Sequence, residues 1–331
     1  MKKFTFLIIT LLIISSAVNA QERKKLAQTG MKFLSVSLDA RVSGLGDAGT
    51  SVNDVTAASM FYNPSTMASM TDMVSANVNV FTWIADIKYI SSAVAFKPFD
   101  GDYGVFGLSF VSVDYGEFNS TIFAPTEAGF LDIGTYKPKA LAFGLGYANQ
   151  LSEKFSVGGN IKYVYQSLGS GVMNVALDKE DYKVNTLAFD FGILYHTGFK
   201  SLDFGMNVRN FSQELRYVEK QFQLPLTFEI GVSMNMTDLF NVNKDMYSFL
   251  LSVDASHPRD YSEQVSVGGE FIFMNTLALR AGYTYPTDEQ EFTAGIGLKQ
   301  RVLGYLLGVD YAYTPFGIFN DIHRISVNFA F

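Results

Sequence analysis

From about Val74 onward, apolar and polar residues alternate with period two, in segments of roughly 9–14 residues divided by turn residues. In "FSVGGNIKYVYQ", Phe155, Val157, Ile161, Tyr163 and Tyr165 share one face, and Ser156, Asn160, Lys162 and Gln166 share the other. "LAFDFGILYH" sets Leu187, Phe189, Phe191, Ile193 and Tyr195 against Asp190, Gly192 and His196. "GYLLGVDYAY" sets Tyr305, Leu307, Val309, Tyr311 and Tyr313 against Gly304, Gly308 and Asp310. The pattern predicts about fourteen strands, near 74–83, 89–97, 103–115, 138–149, 155–168, 185–196, 201–212, 223–236, 247–256, 263–273, 277–285, 290–300, 302–314 and 323–331.

The connections carry a second pattern. "FDGD", "LSEK", "TGFK" and "FMNTL" are tight, whereas 116–137 and 169–184 are long. Short periplasmic turns facing longer external loops are the habit of bacterial barrels. The connection near 237–246 is the exception. "RISVNFAF" alternates Ile325, Val327, Phe329 and Phe331, a final amphipathic strand ending in an aromatic. The fold expected is all-β: a transmembrane antiparallel β-barrel over residues 73–331.

A soluble sandwich would alternate in the same way, so the faces matter. One face of strand after strand carries Leu, Ile, Val and Phe with Tyr near the ends, as a lipid-facing band requires. The other face carries Lys162, Asp190, Asp203, Arg209, Glu229, Asp254, Glu270, Arg280, Lys299, Asp310 and Arg324, with both signs in similar number. These charges belong in the lumen. Among them Lys162, Asp190, Arg209, Glu229, Glu270, Arg280 and Asp310 are expected to form a salt-bridged network.

The first 20 residues fit the localisation. Lys2 and Lys3 precede an apolar run from Phe4 to Ile14, and "SSAVNA" ends in small residues, as in a secretory signal peptide cleaved after Ala20. Its removal leaves the chain two units more negative than the −7 of the whole sequence, which disfavours nucleic acid. The chain holds no cysteine, so neither disulfides nor thiol chemistry arise. His196, His257 and His323 have no serine–acid partner at recognisable spacing, and no metal-ligand cluster is legible. No enzyme activity and no cofactor are expected.

Residues 21–72 read differently. "ARVSGLGDAGTSVNDVTAASMFYNPSTMA" contains a G-x-G-x-x-G match at Gly44, Gly46 and Gly49. A dinucleotide loop needs a preceding parallel strand, repeated βαβ units and an acid about 20 residues on. Strands with hardly room for helices follow instead, and Ser69 stands at that distance. The glycines therefore suit tight turning and close packing. "DVTAASMFYNPSTMASM" predicts one short helix, capped by Asp54 and stopped or restarted at Asn63–Pro64. A compact segment of this kind ahead of the first strand suits a plug inside the barrel.

This stretch resembles the N-terminal segment of FadL-like outer-membrane barrels, through Ala40, Arg41, Gly44, Gly46, Ala48, Asp54, Ala57, Tyr62, Asn63, Pro64, Met67 and Ala68. Ser65 stands where those proteins usually carry Ala. "LAFGLGYANQLSEKFSVGGNIKYVYQSL" is most similar to the PorV/PorQ group. The resemblance implies an outer-membrane location, fourteen strands and an N-terminal hatch. It implies a role in type IX protein secretion, with secreted cargo or a surface-attachment complex as partners. The alternative it implies is a passive channel for hydrophobic small molecules with a lateral opening.

Two local expectations bear on that choice. In strand three Phe106, Leu108 and Phe110 hold the even phase but Val111, Val113 and Tyr115 the odd one. A β-bulge at Phe110–Val111, opening a lateral gate, would produce such a flip. A strand apolar on both faces because the plug covers one would look the same. Arg41 is expected against a wall carboxylate such as Asp190 or Glu229. The external loops carry "TIFAP", "AGFLDIG" and "GVMNVAL", apolar groups suited to a partner surface or a lid.

Overall fold

The computed structural model describes residues 29–53, 56–172, 179–240, 242–244 and 246–331. The signal peptide, Asp54 and the "MNVALD" of one external loop lie outside the described residues. The strands are β1 (Val74–Thr82), β2 (Lys88–Phe96), β3 (Val105–Asp114), β4 (Phe118–Phe123), β5 (Phe130–Tyr136), β6 (Lys139–Ser152), β7 (Phe155–Val172), β8 (Lys179–His196) and β9 (Asp203–Phe211). There follow β10 (Leu215–Arg216), β11 (Gln221–Phe222), β12 (Thr227–Asn235), β13 (Tyr247–Pro258), β14 (Gln264–Phe273), β15 (Leu277–Tyr285), β16 (Phe292–Val302), β17 (Tyr305–Thr314) and β18 (Ile322–Ala330). Fourteen of them close into one antiparallel barrel, each beside its neighbour, with β18 returning to β1 in register at Val78↔Val327. The other four form two small hairpins in external loops, β4–β5 and β10–β11.

Closure pairs the backbone of every wall strand, as lipid demands. Outward positions such as Val80, Leu108, Leu145, Ile161, Leu187 and Val309 are exposed, whereas inward Asn77, Asn160, Asp190, Asn207, Glu270 and Ser326 are buried. Aromatics edge the wall: Tyr305, Phe329 and Phe331 cluster at the end that carries the tight turns. Among the described residues no helix is long and apolar enough to cross a membrane.

Strand three corrects one expectation. Its ladders run unbroken on both sides, with Phe110 opposite Ser92 and Phe143 and Val111 opposite Ser91 and Ala142. No bulge or gate exists at Phe110–Val111. Phe106, Leu108 and Phe110 face outward, while Val111 and Val113 are buried against residues of the N-terminal segment. Both faces are apolar because both are covered, one by lipid and one by protein. Register shifts occur instead near the ends of the β6–β7 and β7–β8 ladders and between β8 and β9, where Phe189 faces Phe211 but Phe191 faces Val208. The extra β9 residue falls beside Asn210, whose φ is 62°.

The segment before β1 runs along the inside of the wall. One helical turn, α1 (Ala40–Ser43), is capped by Asp39, whose side chain accepts from Val42 N. The single helix expected over 54–70 is instead two 3₁₀ turns, Ala57–Phe61 and Pro64–Ser69. Asn63 caps the second turn and Pro64 opens it.

Candidate functional site: the lumen

Arg41 does not reach Asp190 or Glu229. Helix α1 packs on β16, β17 and β18, across the barrel from those residues. Its guanidinium makes a two-pronged pair with Glu270, at 2.9 Å from Nε and 2.7 Å from Nη2. Arg280 Nε donates to the same carboxylate at 2.5 Å, and its Nη1 donates to Asp310 at 2.6 Å. Asn328 donates to Asp310 at 3.0 Å, Asn77 to Asn328 at 2.8 Å, and Asn79 to Asn77 at 2.6 Å. One polar girdle thus crosses the inner faces of β14, β15, β17, β18 and β1. Charge-assisted, two-pronged pairing of this kind is the strong sort, and it lets Glu270 be almost wholly buried.

The other predicted charges form two separate clusters. Lys162 pairs with Asp190 at 2.8 Å and donates to Asn210 at 2.6 Å. Asp190 also accepts from Asn210 N at 2.8 Å, so the irregularity in β9 aims a backbone donor at a buried carboxylate. Arg209 pairs with Glu229 at 2.5 Å and donates to the Phe61 carbonyl at 3.1 Å. A cation and an acid on neighbouring strands thereby grip the N-terminal segment.

Tyr62, Asn63 and Pro64 order that segment. The Tyr62 hydroxyl accepts from Asp39 N at 2.8 Å, tying the 3₁₀ turns back to α1. Asn63 Nδ2 donates to the Thr50 carbonyl at 2.7 Å and to the Ile193 carbonyl of β8 at 3.0 Å. Asn207 donates to the Tyr62 carbonyl. Glycines on both partners allow close approach. Gly46, at φ +66°, sits with Leu45 against Gly268 and Gly282, and Gly44 against Gly295. A Cβ on Gly158 would come within 2.5 Å of the Pro64 carbonyl carbon.

Several of these partners were not singled out from the sequence. Asn77 and Asn79 occupy inward positions of "VSANVNVFT", a signal that the alternation carries. The inward glycines of the wall carry none, because a glycine leaves no apolar or polar mark on a face. His196 pairs with Asp203 at 2.7 Å and His257 with Glu263 at 2.9 Å, while His323 meets the Tyr311 hydroxyl at 2.6 Å. Among the described residues no three His, Asp or Glu side chains could hold a metal ion.

Above and below α1 the lumen widens. A cavity of about 380 Å³ opens on the tight-turn side beside Arg41, Lys299 and Arg301. A second, of about 430 Å³, opens toward the external loops beside Asp47, Asp254 and Arg324. At the external rim Lys32 pairs with Asp260 at 2.7 Å, Thr29 also bonds Asp260, and Gly30 N donates to the Gln223 carbonyl at 3.0 Å. The Asp260 carboxyl is raised by burial, but its bonds to Lys32 and Thr29 outweigh this and hold it below its ordinary value.

The barrel is similar to the crystal structure of the Pseudomonas putida toluene transporter TodX, at 11% identity and a TM-score of 0.55, over 86% of this chain and 96% of that one. It is also similar to that of a Pseudomonas aeruginosa FadL homologue, at 11% identity and 0.55, over 89% and 98%. At such identities these likenesses show the fold alone. No curated protein sequence matches the chain. The sequence profile of the type IX secretion system membrane protein PorP/SprF matches residues 50–329, and the chain belongs to that family.

Proposed function

We propose that this protein is an outer-membrane component of type IX-like protein secretion, acting as a docking platform rather than a through-channel. The observation that carries the reading is the lumen. Residues 29–53 and 56–70 act as a plug, bonded to the wall by Arg41–Glu270, Arg209–Phe61 and Asn63–Ile193. A ring of buried ion pairs is a poor solvent for an acyl chain or an aromatic hydrocarbon. The unbroken strand three removes the side exit that the channel alternative needed there.

Secreted protein would then meet the external face. The β4–β5 hairpin pairs only with itself, and its Phe123, Phe130 and Leu131 are exposed, Phe123 at 86%. An isolated hairpin is marginal in water, so a partner that buries those rings would also order it. The PorP/SprF match does not name the PorV/PorQ group; receipt of cargo through C-terminal domains and its transfer to a surface-attachment complex rest on the sequence resemblance to that group alone. The test compares periplasmic, surface and secreted proteomes with and without the gene. Periplasmic build-up of proteins sharing a C-terminal sorting domain is expected. An unchanged proteome, with impaired uptake of labelled hydrophobic compounds, would favour the channel.

A further inference from the structure

The plug has a direction. At the tight-turn side it joins the wall: Lys97 Nζ donates to the Met70 carbonyl at 2.8 Å, Arg301 grips Asp72 at 2.8 Å, and Val74 N donates to the Phe331 carbonyl at 3.0 Å. Followed toward its amino end, the chain climbs the lumen from there. Arg41 meets Glu270 on the way. Met31 and Phe33 are then buried in one cluster with Tyr89, Val113 and Ala140, at the external ends of β2, β3 and β6. Thr29 and Lys32 finally bond Asp260, in the external connection between β13 and β14.

The contact at Thr29 sets the heading of the chain. Thr29 bridges Gln223 in parallel, and Gly30 N donates to the Gln223 carbonyl at 3.0 Å. Gln223 follows β11 and leads into β12, which runs from the external rim toward the tight-turn side. A parallel partner runs the same way, so the chain descends into the lumen from Thr29 and heads outward ahead of it. Eight residues, 21–28, separate Thr29 from the cleavage expected after Ala20. Fully extended, a segment of that length spans at most about 28 Å. Its sequence, "QERKKLAQ", sets Arg23, Lys24 and Lys25 against Glu22 alone. We propose that the plug is threaded amino end outward, so that residues 21–28 are an arm on the external face and a contact for an acidic polypeptide. The charge of the arm selects an anionic partner. Its point of departure selects a polypeptide over a lipid headgroup, because Thr29 leaves from the mouth of the barrel, between Gln223 and Asp260, and not from the lipid-facing wall. The proposal goes beyond the secretion role and stands without it.

The absence of cysteine from the chain makes single-cysteine labelling of the full-length protein a direct test. Intact cells are treated with a membrane-impermeant polyethylene-glycol maleimide, and the labelled protein is read as a gel shift. Lys25→Cys should label as fully as Glu127→Cys, in the exposed connection between β4 and β5, with Ala27→Cys as a second site on the arm. Asp102→Cys, in the tight turn after β2, should label only once the outer membrane is permeabilised. Arm cysteines that label only after permeabilisation would overturn the thread. For the partner, a fluorescent ten-residue polyglutamate peptide is titrated onto the purified full chain in detergent. Saturable binding is expected, weakened by salt and about tenfold or more by Arg23→Gln/Lys24→Gln/Lys25→Gln. Absence of peptide binding, or binding unchanged in the triple variant, would overturn the assigned partner. So would arm-dependent binding of vesicles rich in phosphatidylglycerol in place of the peptide.

Discussion

The two walls of the lumen hold one N-terminal segment by different physics. On the β14–β18 side the contact is charge: Arg41, Glu270, Arg280 and Asp310 form a chain of ion pairs across four elements. On the β2–β8 side the contact is shape. Met60 and Met67 are buried against Gly107 and Gly146, Pro64 against Gly158, and Ala57 among Ala93, Ala95 and Ala148. The charged wall is specific in its partners but unforgiving of a single loss. The close-packed wall spreads its stabilisation over many small contacts, and it is sensitive to any added atom.

The largest effect should come from the charged wall. Glu270→Ala leaves Arg41 and Arg280 without their shared carboxylate in a buried place, a loss of about 3–5 kcal/mol. Urea unfolding of the barrel in lipid vesicles should read it, and Arg41→Ala should cost less because Glu270 keeps Arg280. Next comes Gly158→Ala, whose methyl would press on the Pro64 carbonyl carbon and cost about 1–3 kcal/mol. A wild-type midpoint in that variant would show that the turn can simply step aside. Asn63→Ala removes donors to Thr50 and Ile193 and the cap of the second 3₁₀ turn, for about 1–2 kcal/mol.

The smallest effect lies at the rim. Because Asp260 is held below its ordinary value of 3.8, its clasp on Lys32 and Thr29 contributes fully above that value. The contribution is lost as pH falls through the lowered value. Lys32 is 56% exposed, so it amounts to less than about 1 kcal/mol. Exchange protection of the Gly30 amide should hold from neutral pH down to about 4 and fall below it. Protection unchanged under acid would place the anchor elsewhere.

Much of the wall was legible because lipid imposes a two-residue period on it. Each of the fourteen expected strands has a counterpart, and most ends agree within a few residues. The exceptions follow from physics the period does not carry. The β4–β5 hairpin sits in a connection read only as a long external loop, since its strands have no lipid face to mark them. The apolar phase change at Phe110–Val111 marks a covered inner face, not a kink. The register shift near Asn210 does leave a phase change, from Phe204, Met206 and Val208 to Phe211, but the adjacent Arg209 and Asn210 that carry it were not singled out as a bulge. Of the lumen, the identity of the charges could be read but not their pairing. Arg41 finds Glu270 only because Gly44 and Gly46 seat α1 against Gly295 and Gly282, a contact between residues far apart in sequence.

The central claim is that the N-terminal segment closes the lumen. Ion conductance of the purified protein in planar bilayers tests it most directly, with wild type beside Glu270→Ala. The account predicts a silent wild type and intermittent openings once Glu270 is lost. A steady open conductance in the wild-type protein would contradict it.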